Sequence, residues 1–104
     1  ILAAANVVTC TLVGITNKHV EKLKFQTVFI DEAAQALEPA TWIPILRGKR
    51  VIFAGVPLQL PPTVKCDEAM RKGFNVTMME RGIEFLPSTL LRTQYRMHET
   101  IMGF

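Results

Sequence analysis

Apolar residues in this chain come in short bursts separated by longer mixed stretches. Three bursts are rich in β-branched residues: Ala5–Thr11, Thr27–Ile30 and Val51–Ala54. Each is too short for a buried helix and ends in polar or glycine-containing sequence, so the pattern predicts buried strands. Thr89–Arg92 reads as a last strand. Helix-length segments lie between them. Asn17–Leu23 predicts a short helix with Asn17 as its cap, and Ala36–Leu46 a better one, with Pro39 giving an irregular start and Pro44 an early stop. Asp67–Lys72 predicts a short helix closed by Gly73, Val76–Phe85 a longer one despite Gly82, and His98–Phe104 the beginning of another. Strands alternating with helices imply an α/β fold of parallel βα units, with a sheet covered on both faces. In such sheets ligands bind beyond the carboxyl ends of the strands. There is no internal repeat, low-complexity tract or linker.

Composition narrows this picture a little. A chain of 104 residues, 49% hydrophobic and 20% charged, is globular and has room for a single core. A net charge of +3 permits a nucleic-acid partner without requiring one. Cys10 and Cys66 read as packing cysteines of a reducing compartment rather than a disulfide, which implies an intracellular, cytoplasmic location. No run of about 18 apolar residues occurs, so no membrane span or membrane partner is expected. The opening ILAAANVV has neither a basic n-region nor an initiating methionine, and is expected to fall inside a domain of which this chain is an excised piece.

Three strand ends carry candidate chemistry. In VFIDEAAQ the strand closes on Asp31 and Glu32, side by side. One carboxylate can hold a hard divalent cation and the other can act on an attacking water. The same pair would serve equally well as caps of the following helix. In FAGVPLQLPP, Gln59 offers both a donor and an acceptor to a phosphate oxygen or a water, and parallel strand order would bring Gly55–Gln59 beside the end of the Asp31 strand. A solvated loop glutamine is the alternative. In LRTQYRMHE, Arg96 supplies a planar fork suited to phosphate and Tyr95 a ring on which a base can stack, although a buried tyrosine and a surface arginine would explain the same letters. His98 reads as a helix-start or surface residue.

Taken together and in order, these segments resemble the superfamily 1 RNA and DNA helicases, in the branch of the nonsense-mediated-decay and immunoglobulin mu-binding-protein-type helicases. The run from Asp31 to Pro39 matches that branch's motif II, Gly55–Pro62 its motif III (GDxxQLPP), and Gln94 to His98 its QYRMH signature. Ala5-Asn6-Val7-Val8 with Thr11 and Gly14 resembles the strand-and-turn motif that faces nucleic acid. The motif III lettering argues against the DEAD-box helicases, which use SAT there.

The resemblance implies a partial RecA-like P-loop NTPase domain, a parallel sheet flanked by helices with the first strand and the P-loop missing. Residues 1–88 would belong to the first RecA-like domain, and residues 89–104 would lead into the second. It further implies an enzyme that uses ATP and Mg²⁺ on single-stranded DNA or RNA. In that scheme Asp31 holds Mg²⁺, Glu32 acts on the attacking water, and Gln59 senses the γ-phosphate. Arg96 brings positive charge to the γ-phosphate, Tyr95 stacks on adenine, and Thr11 and Gly14 approach the nucleic-acid backbone. No GxxxxGK(S/T) occurs, since Gly48-Lys49 lacks both the upstream glycine and the following hydroxyl residue. The piece alone is therefore expected to be inactive. One departure stands out: Val56 occupies the place of the motif III aspartate. It leaves open the alternative of a degenerate module kept for nucleic-acid or protein binding without turnover.

Overall fold

The computed structural model describes residues 2–57 and 59–103. Its centre is one parallel βαβ unit: β1 (Phe25–Ile30), α1 (Glu38–Ile45) and β2 (Gly48–Phe53). The strands pair in parallel with Phe25 opposite Gly48, Thr27 opposite Arg50 and Ile30 opposite Phe53. Both begin earlier than their apolar bursts, because the ladder recruits the residues that precede them, Phe25 and Gln26 in β1 and Gly48 to Arg50 in β2. Pro39 sits in the first turn of α1, where its missing N–H costs nothing, and Pro44 lies in the last turn, one residue before the helix ends.

Three shorter helices follow: α2 (Asp67–Arg71), α3 (Met78–Ile83) and α4 (Glu99–Met102). Beyond α2, Gly73 adopts φ 83° and donates to the Met70 carbonyl, while Phe74 N–H reaches the Ala69 carbonyl at 3.0 Å. This pair of bonds is a Schellman stop, which needs the left-handed conformation that glycine adopts without strain. At the start of α3, Thr77 and Glu80 form a reciprocal capping box. Arg81 of α3 then pairs with Glu38 of α1 at 2.7 Å and 2.8 Å, tying the two helices together.

Some expected elements are absent among the described residues. Ala5–Thr11 forms no strand. It runs without regular structure along a groove of about 1120 Å³, whose opposite wall is β1. Thr89–Arg92 forms none either, and Leu91 is 88% exposed. In both cases β-branched or apolar letters signal a strand, but a strand exists only where a neighbour completes its hydrogen-bond ladder. Asn17–Leu23 makes only turns. The Asn17 side chain does accept the His19 N–H at 3.0 Å, and its carbonyl takes the N–H groups of Val20 and Glu21. The ladder is not continued, because the Leu23 N–H returns to the Val20 carbonyl in an i→i−3 turn. Val76–Phe85 shortens to α3, and the last helix to α4; Phe104 lies outside the described residues.

The sheet is covered on one face rather than two. α1 packs against both strands, and Ile30 is almost fully buried. The cross-strand partners Phe29 and Ile52 point the other way and stay 61% and 40% exposed. Two strands and one crossover helix bury only one side of the pleat. The core is correspondingly small: Ile15, Ile30, Ala33 and Ala34, with the hydroxyl of buried Thr41 donating to the Glu38 carbonyl. Both cysteines are free and exposed, so the packing role expected for them does not hold.

Candidate functional site

The two parallel strands do not simply stop. Past their ends the Ala54 N–H donates to the Ile30 carbonyl at 2.9 Å, and the Ala54 carbonyl accepts from Ala33 N–H at 2.8 Å. The ladder thus clamps the segment after β1 to the segment after β2. Asp31 and Glu32 lie inside this clamp, at the carboxyl end of β1 where α/β sheets bind their ligands.

The backbone at Glu32 is left-handed, φ 51° and ψ 37°, the one positive φ at a non-glycine residue among those described. Asp31 Oδ1 accepts the Glu32 N–H at 3.0 Å and so holds this turn locally. A short 3-10 helix, Ala33–Gln35, follows, and Gln35 Nε2 lies 3.5 Å from Glu32 Oε2. Glu32 occupies its N-cap position but makes no side-chain capping bond. The capping alternative for the acidic pair therefore fails for Glu32, and Asp31 serves its neighbour's N–H rather than the helix. Both carboxylates are exposed and neither forms an ion pair among the described residues.

Gly55 explains how the second loop comes so close. A Cβ there would sit 3.2 Å from Ala33 N, 3.3 Å from Ala34 N and 3.2 Å from Met79 Sδ. Glycine lets the chain pass the buried Ala33–Ala34 pair at this distance, where a Cβ would press its neighbours back by a few tenths of an ångström. The apolar run ending in glycine marks a strand end in sequence, but the close approach is visible only in the fold. Beyond it, Gln59 N–H donates to the Val56 carbonyl at 3.2 Å across a turn with Pro57 in its second position, which suits proline's fixed φ. Gln59 is exposed and Val56 is 56% exposed, so the valine side chain is not spent on packing.

Thr11 and Gly14 form a turn in which Gly14 N–H donates to Thr11 Oγ1 at 3.0 Å. The threonine hydroxyl keeps its proton for an outside acceptor. Thr11 and Asp31 line the same groove. The QYRMH segment stands apart. Gln94 bonds to the backbone of Met97 in both directions, at 2.7 Å and 2.9 Å, and His98 takes the N-cap position of α4 with Nδ1 accepting from Thr100 N–H. Tyr95 is 93% exposed, which rules out the buried-tyrosine alternative here, and Arg96 makes no hydrogen bond or ion pair among the described residues. The structure thus brings the start of the glutamine loop, Ala54 and Gly55, against the turn that carries Asp31 and Glu32, with Thr11 along the adjoining groove; the bonds of Gln59 and of the QYRMH segment are local.

No group of three or more His, Cys, Asp or Glu side chains suited to a metal occurs among the described residues. Asp31 nevertheless fits Mg²⁺, since one of its oxygens is free and Mg²⁺ is commonly held by one or two carboxylates plus water and phosphate oxygens.

The family described as "AAA domain" matches residues 1–67. The chain belongs to that family. It is 41% identical over 104 residues to the DNA polymerase alpha-associated DNA helicase A of Schizosaccharomyces pombe, covering all of this chain and 16% of the relative. To the regulator of nonsense transcripts 1 homolog of Neurospora crassa it is 39% identical over 107 residues, covering all of this chain and 10% of the relative. To the mouse DNA-binding protein SMUBP-2 it is 41% identical over 108 residues, covering 97% of this chain and 11% of the relative. The chain spans no more than 16% of these relatives' length. Similarity over essentially the whole chain puts this AAA domain in the superfamily 1 helicase branch that its motifs resemble.

Proposed function

We propose that this AAA domain piece carries the hydrolytic edge of an ATP-dependent nucleic-acid helicase or translocase. The observation that supports it most is the clamp between Ala33 and Ala54, which fixes the turn bearing two exposed carboxylates beside the start of the Gln59 loop at the sheet's carboxyl end. When bound, Mg·ATP would supply the γ-phosphoryl group that passes to water as ADP leaves. Asp31 would hold the metal through its free carboxylate oxygen. Glu32, freed from capping and fixed by its turn, orients the attacking water and accepts its proton. Gln59 hydrogen-bonds the γ-phosphate, and its loop shares a backbone bond with the Glu32 turn, so a shift in one is felt in the other. Arg96 donates to the γ-phosphate and Tyr95 stacks on adenine once a second domain closes over the site, which accords with their exposure here. Thr11 and Gly14 contact the backbone of single-stranded DNA or RNA without reading its sequence. On this reading residues 1–88 belong to one motor domain, 89–104 lead to the next, the phosphate cradle comes from outside these 104 residues, and the protein works inside the cell.

Val56 favours a second reading, a module that binds without turnover, because it removes an acceptor beside the carboxylates. One substitution separates the two. In the full-length protein, Glu32→Gln should lower nucleic-acid-stimulated ATPase by roughly 100-fold or more while ATP binding persists. Equal rates in wild type and variant would sink the assignment of Glu32.

A further inference from the structure

The charges of this chain are sorted along its sheet. Lys18, Lys22, Lys24, Arg47, Lys49 and Arg50 are six of the twelve lysines and arginines, and Glu21 is the one acid of nine in the same two stretches, 18–24 and 47–50. Those stretches carry +5, and the rest of the chain carries −2. The fold joins them. Phe25 N–H donates to the Arg47 carbonyl at 2.9 Å, Lys24 Nζ to the Leu46 carbonyl at 3.1 Å, and the Arg50 guanidinium to Thr27 Oγ1 at 3.0 Å and 3.2 Å. All lie in the amino-terminal halves of β1 and β2, whereas Asp31 and Glu32 leave the carboxyl end.

Four to six strand residues separate them from Asp31, about 13–20 Å and beyond the screening length of about 8 Å at physiological salt. The cations therefore do not neutralise the acidic pair. They are not neutralised by closer acids either, since the ion pairs among the described residues are Lys72–Glu68 and Arg81–Glu38. Such a cluster adds self-repulsion to the folded state, which an external anion relieves.

The type of anion follows from what the patch lacks. Its two stretches expose no large aromatic or aliphatic residue, and Leu46 beside them is a single exposed leucine. A protein interface would need an apolar or aromatic centre, and capture of a single strand by its bases would need stacking rings. Contact with phosphates needs only the cations. Lys49 and Arg50, successive on β2, face opposite sides of the sheet, so positive charge wraps around its end.

We propose that the amino end of the sheet is a second nucleic-acid contact, one that takes the phosphate backbone of a duplex on the side remote from Asp31 and Glu32. It uses none of the residues assigned to single-strand contact, and it rests on the proposed function only for the class of polyanion. The test is fluorescence anisotropy on the full-length protein, with a labelled blunt duplex and a labelled single strand of mixed sequence, across a salt titration. Lys18→Gln, Lys22→Gln and Lys49→Gln combined should weaken duplex binding at least about tenfold and flatten its log–log salt slope by about 2–3. Single-strand affinity should change less than about twofold. If the triple variant unfolds, Lys22→Gln alone should flatten the slope by about 1. An unchanged duplex slope overturns the proposal, as does competition by polyglutamate equal to that of a duplex of the same charge, which would indicate an acidic protein partner. Wild-type protein that binds no single strand at any salt would instead refute the nucleic-acid part of the proposed function.

Discussion

The segment from β1 to the Gln59 loop and the QYRMH segment carry motifs of similar clarity, yet their structures differ sharply. In the first, the backbone flanking the acidic pair is tied to another part of the chain, Ala54 to Ile30 and Ala33 to Ala54, and Gly55 passes close to Ala34. In the second, the bonds are local, Gln94 to Met97 and His98 to Thr100, and the side chains with proposed chemistry are in solvent. One region is built in place. The other presents residues that need a surface to close upon.

Substitutions can break this contrast. The largest expected effect lies in the QYRMH segment: Arg96→Ala in the full-length protein should lower kcat of the nucleic-acid-stimulated ATPase by about 1000-fold, with thermal unfolding unchanged. A fall in unfolding temperature as large as that of a core variant would show Arg96 to be structural. In the built region the order reverses. Gly55→Val puts a side chain within contact distance of two backbone nitrogens and should destabilise the fold by about 1–3 kcal/mol, read by urea unfolding. A neutral result would mean that the clamp is loose. The smallest effect sharpens the picture rather than breaking it. Val56→Asp restores an acceptor worth about 1 kcal/mol and should raise stimulated ATPase roughly fivefold, with stability little changed. Unchanged rates would show that the valine costs the motor nothing.

What the sequence disclosed, and what it did not, follows the same division. The parallel pair β1–β2, the proline-bounded α1 and the Gly73 stop were legible because each depends on neighbours within a few positions or on one strong apolar burst. Ala5–Thr11 and Thr89–Arg92 carry strand-like letters just as clearly, but pairing is a property of a partner and not of the strand. The single-sided cover of the sheet escaped notice for the same reason, since Val-Phe-Ile reads alike whether one or both faces are packed. At the site, the acidic pair and the glutamine loop were visible as letters. The left-handed turn at Glu32 and the passage of Gly55 past Ala33 were not, because both arise from two distant segments meeting.

The left-handed turn at Glu32 has one more consequence. A glutamate held there costs the folded state on the order of 1 kcal/mol that glycine or asparagine would recover. If Glu32 acts on water as proposed, selection for stability and selection for turnover pull in opposite directions here. Glycine and asparagine would then give a chain that melts later and turns over less.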